Sequence, residues 1–162
     1  MKTLQFVLFV VALLLYAGSA HAQSQKTART VSVDGAIKVD GLLDEPAWNQ
    51  VPVITELLQR DPNEGEGATE QTEIKIVYTK RSIFFGIRCY DSEPSRILAT
   101  ELRRDNDFLN DDAVSILLDT LHDRRSGCIF RINPLGTEYD ALVTDEGRIT
   151  DVNWDESWNT GR

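Results

Sequence analysis

An antiparallel β-sandwich, all-β in class, is the fold that this sequence predicts. Three observations point to it. Five short runs alternate apolar and polar residues with the period of two that sets strand side chains on opposite faces. Gly, Pro and polar residues punctuate those runs at hairpin spacing. An early stretch, Ile37 to Asn49, combines a turn pair, a helix start and an indole in a way that suits closure of one end of a sandwich.

The elements follow in order. Residues 1–22 read as a secretory signal: Lys2 supplies a positive start, Leu4 to Tyr16 is an apolar run, and Ala20-His21-Ala22 is a small-x-small cleavage site. Removing them leaves 140 residues, a one-domain length, and takes the net charge from −9 to −10, because the segment holds one Lys and no acid. Such acidity argues against nucleic acid or an anionic membrane as partner, since both are met by clustered Lys and Arg. Residues 23–35 are expected to be a flexible segment with a lead-in strand, and residues 36–162 to be the sandwich.

In the Ile37–Asn49 stretch, Asp40-Gly41 suits a tight turn, because Gly tolerates positive φ and Asp bonds its own backbone. Asp44 suits a helix N-cap, Pro46 the first helical turn, and Trp48 an apolar staple. Arg60 to Thr69, with Pro, Asn, Gly and Glu, reads as a loop. Ile74, Ile76 and Tyr78 share one strand face, and Thr79 to Ser82 connects them to Ile83, Phe85, Ile87 and Cys89. Arg103 to Asp112, rich in Asp and Asn, interrupts the pattern. Val114, Ile116 and Leu118, then Cys128, Phe130 and Ile132, then Tyr139, Ala141 and Val143 are the remaining faces. The final stretch carries Trp154 and Trp158 and ends without an evident closing strand, so the sandwich is expected to be truncated at its C-terminus.

The strings Val39 to Trp48, Gln71 to Tyr78, Asp111 to Asp119 and Phe130 to Gly136, in that order and spacing, resemble family 9 carbohydrate-binding modules. The version that they resemble most opens bacterial envelope proteins with a C-terminal outer-membrane β-barrel. Other branches accompany glycoside hydrolases. The resemblance spans roughly residues 36–162 and implies a sugar-binding sandwich placed outside the cytoplasm, in periplasm, outer membrane or medium, and continued covalently into a larger C-terminal domain. It also implies site residues. Phe108 and Leu109 stand where the sugar binders carry Trp, Arg131 matches an Arg of theirs, Asn133 follows two positions on, and Ser115 replaces a Glu. The second indole of their aromatic clamp has no counterpart before Arg162.

Sugar recognition needs aromatic faces for the C–H side of the ring and planar polar groups for its hydroxyls. Phe108, Arg131, Asn133 and Trp158 are therefore the expected carbohydrate-binding residues. By alternation, Arg131 and Asn133 lie opposite the Phe130 and Ile132 face. A solvated Arg131 paired with a neighbouring acid is the competing reading. Trp154 and Trp158 share a face if extended, either as a stacking pair or as core. Trp48 is expected in the core.

Catalysis has little support. There is no G-x-S-x-G string, no carboxylate pair is singled out, and His122 sits in a polar loop. Met/His haem ligation fails once Met1 and His21 leave with the signal. Asp105, Asp107, Asp111, Asp112 and Asp119, with Asp91 and Glu93, leave structural calcium open beside a solvated acidic loop. Export permits a disulfide between Cys89 and Cys128; two small buried hydrophobes are the alternative. The resulting expectation is an exported, non-catalytic carbohydrate-binding domain, accessory to a carbohydrate-degrading or outer-membrane protein. The alternative is a structural or protein-interaction head that binds no sugar.

Overall fold

The computed structural model describes residues 27–108 and 110–162. The segment expected to be a signal, its expected cleavage site and Leu109 lie outside those residues. The described chain is mostly β. A three-stranded sheet has the order β1 (Val31–Ser32), β2 (Thr72–Tyr78), β3 (Ile83–Cys89). A four-stranded sheet has the order β4 (Val114–Leu118), β5 (Gly127–Ile132), β6 (Glu138–Thr144), β7 (Ile149–Asp151). Among the described residues, helical structure is limited to short 3-10 turns at Pro46–Asn49, Pro94–Arg96 and Asp145–Gly147. No helix among the described residues is long and apolar enough to cross a membrane.

The β2–β3 hairpin follows from its sequence. Seven mostly β-branched or aromatic residues on each side pair in register from Thr72↔Cys89 to Tyr78↔Ile83. Its turn is closed by Thr79 N–H donating to the Ser82 carbonyl at 2.8 Å, while the Thr79 hydroxyl accepts from Arg81 and Ser82 N–H. The second edge of β2 is covered at both ends. Ile54 exchanges two 2.9 Å backbone bonds with Ile74, and β1 pairs Val31↔Val77. That β1–β2 pair is parallel, which corrects the expectation of a wholly antiparallel arrangement. The long excursion between residues 33 and 71 gives the chain room to return on the same heading.

The first core forms on one face of this sheet. Trp48 is 3% exposed and clusters with Val33, Ala47, Val51 and Val77. Gly86, central in β3, leaves the space that Leu43 and the Trp48 ring occupy. The turn that delivers the indole is built as its sequence suggests. Asp40 Oδ1 accepts from Leu42 N–H at 3.0 Å and Gly41 has φ 84°. The N-cap, however, is Glu45 rather than Asp44, and Glu45 does not cap the turn through its side chain. Its carboxylate instead accepts from Lys38 N–H and Trp48 Nε1–H, both at 2.8 Å, which ties the staple to the chain before it. The other face of the hairpin is less covered than alternation suggests: Tyr78 is 42% and Ile83 50% exposed.

The four-stranded sheet is used on both faces. Pairing sets Phe130 opposite Ile116 and Asp140, and Arg131 opposite Ser115 and Tyr139. Val114, Ile116, Leu118, Phe130 and Ile132 are half-buried on one face. Tyr139 and Ala141, buried on the other, form a second core with Phe108 and partly buried Ile129. The segment between residues 97 and 112 brings Phe108 there. It is pinned by Asp111, whose carboxylate accepts from Thr100 N–H, Glu101 N–H and Asn133 Nδ2–H, each at 2.9 Å.

Candidate functional site

The four residues expected to bind sugar do not form one surface. Phe108 is 4% exposed, its ring 6.2 Å from that of Tyr139. It fills the second core instead of offering an exposed platform, because Tyr139 and Ala141 would otherwise lie bare. Asn133 is 3% exposed and its amide is fully used. Oδ1 accepts from Leu135 and Thr137 N–H, and Nδ2 donates to the Glu101 carbonyl and Asp111. It shapes the turn after β5 and has no polar group left for a ligand. Arg131 remains partly exposed. Its guanidinium lies 5.2 Å from the centre of the Tyr139 ring, donates to the Ser115 hydroxyl at 2.8 Å and approaches Asp107 at 3.5 Å. Burial raises the Tyr139 pKa, and Asp107 and Asp105 add to the rise against the opposing charge of Arg131.

Trp158 lies on the opposite face, where a different constellation gathers. Its ring meets Phe130 edge-on with centroids 5.2 Å apart, and Trp154 meets the same Phe130 at 6.1 Å. Both indoles are half-buried. They belong to the segment after β7, which crosses this face without joining the sheet. Asp140, fully buried at the centre of β6, holds the crossing. One carboxylate oxygen accepts from Trp158 Nε1–H at 3.3 Å and from Arg104 at 2.5 Å; the other accepts from Glu156 N–H at 2.8 Å.

Arg104 is the hub of the charges. It pairs with Asp140, Glu138, Asp155 and Asp105, and Thr160 donates to Glu138 at 2.9 Å. Burial opposes the guanidinium's charge, but the surrounding carboxylates, led by Asp140, outweigh it and raise its pKa above the ordinary value. Beside this hub lies a shallow groove of about 330 Å³ lined by Leu102, Arg104, Leu135, Gly136, Thr137 and Glu138. Trp158 and the Arg104 fork thus meet on one Asp140 oxygen, with further carboxylate acceptors around them, although none of the rings lines the groove itself. That set can meet the apolar face and the hydroxyl edge of a sugar. A second guanidinium, that of Arg162, lies beside Gly136 and donates to the Pro134 carbonyl, but the carboxylates around Arg104 still outnumber the two, so the surface disfavours anionic ligands.

One signal for this constellation was available in the sequence. An Asp inside an apolar strand is disfavoured unless it is bonded, and Asp140 stands between Tyr139 and Ala141. Arg104, in an irregular segment, carries no comparable mark.

The acids considered for calcium are engaged with amides and cations. Asp112 accepts from Leu98 N–H, Asp119 from Asp123 and Arg124 N–H, and Asp91 from Glu93 N–H. Among the described residues no group of three His, Cys, Asp or Glu is disposed to hold a metal ion. Cys89 and Cys128 are free thiols, one exposed and one half-buried. Burial, with a contribution from Glu156, raises the Cys128 pKa, which disfavours its reactive thiolate. No protein-family model, curated protein or solved structure matches the chain.

Proposed function

We propose that the chain is an exported, non-catalytic carbohydrate-binding domain of the family 9 kind, a β-sandwich acting as the accessory head of a larger envelope or carbohydrate-degrading protein. The observation that carries this reading is the Phe130, Trp154 and Trp158 cluster beside Arg104 and its groove. It offers the mixture of ring faces and planar polar groups that sugars need, and its excess of carboxylates favours neutral sugars over uronates. The half-exposed Tyr78 and Ile83 face supports continuation into further chain that would cover it.

A second reading, a structural head without sugar binding, is favoured by the burial of Phe108 and Asn133. Calorimetric titration with neutral mono- and oligosaccharides separates the two. Binding is expected, weakened at least tenfold by Trp154→Ala and little changed by Arg131→Ala. Loss with Arg131→Ala alone would move the site to the Tyr139 face. Absence of binding to every sugar tried at millimolar concentration would leave the structural head.

A further inference from the structure

We draw no further inference here: the strongest candidate, the open groove of about 550 Å³ that residues 55–58 and 67–71 line just before β2, rests on its volume alone, and nothing in the structure shows what fills it.

Discussion

Replacing Asp140 by Asn should release the segment that carries both C-terminal indoles. The substitution keeps shape and volume but removes a charge and turns one acceptor into a donor. In the native arrangement the Asp140 oxygens take donors on both sides: Arg104 and Trp158 Nε1–H on one, Glu156 N–H on the other. Asn can face only one side with its oxygen, so its amide group must oppose an N–H on the other. A buried donor left without an acceptor costs about 1–3 kcal/mol. Loss of the charged pair adds to this, but less than the ~3–5 kcal/mol of a wholly buried pair. Arg104 is 39% exposed and keeps Glu138 and Asp155 as partners. A total of roughly 2–4 kcal/mol follows, which for a domain of this size lowers Tm by roughly 6–15 °C. Asp155→Asn is the control, because that side chain is 76% exposed and should shift Tm by about 1–2 °C at most. The assay is thermal melting by circular dichroism with acrylamide quenching of tryptophan emission. Quenching should rise in Asp140→Asn below the melt, as Trp154 and Trp158 lift from Phe130 while Trp48 stays buried. Equal melting of the two variants, or unchanged quenching in Asp140→Asn, would refute the reasoning.

Two further outcomes follow. A Cβ at Gly86 would stand 2.9 Å from Leu43 Cδ2 and 3.0 Å from Trp48 Cζ3, so Gly86→Ala should destabilise by about 1–3 kcal/mol. Adding Leu43→Ala should relieve part of that cost in a double-mutant cycle; strict additivity would mean the two side chains do not meet. Asp111 is held well below an ordinary aspartate, down to a pKa of about 2, first by the Glu101 N–H and then by Thr100 and Asn133. Its contribution to stability is full above about pH 4 and is lost as pH falls toward 2. Urea midpoints measured across that range should drop steeply in the parent and less steeply in Asp111→Asn, and parallel slopes would contradict the assignment.

The strands were legible because each is a local statement. Runs such as Ile83 to Cys89 and Val114 to Leu118 carry their period and their turn residues within themselves, and the observed strands match them. The turn that carries Trp48 was legible for the same reason, since Asp40-Gly41 and Pro46 shape it locally, and an indole there was read as core, where it packs against Val77 and Gly86 of the distant β2–β3 hairpin. Pairings at a distance left no such mark. The two residues of β1 show no alternation, the single bridge at Ile54 shows less, and the final segment crosses the sheet without strand geometry. The Glu45 cap differs from the expected Asp44 by one position, and the Glu45 carboxylate is claimed by Lys38 N–H and the Trp48 indole, side-chain demands nearby in sequence that a capping rule does not read.

The misplacement of Phe108 and Asn133 has one cause. Alternation says which side chains share a face; it does not say which face is covered. The sequence suggested that Phe130 and Ile132 face the core and that Arg131 faces solvent. In the structure both faces of β5 and β6 are covered, one by the 97–112 segment through Phe108, the other by the 152–162 segment through Trp154 and Trp158. Each cover is pinned by a carboxylate: Asp111 holds the first through Asn133, and Asp140 holds the second. The two pins differ in a way that bears on function. Asp111 spends its oxygens on amides and a hydroxyl of its own cover and on the Asn133 amide, leaving a closed structural knot. Asp140 shares Arg104 with Glu138 and Asp155, whose oxygens reach the groove and solvent. A ligand hydroxyl can compete for Arg104 on that face without unpairing a buried group, whereas any ligand reaching for Asn133 must first break the knot. The Asp140 face is therefore where weak, reversible recognition costs the fold least.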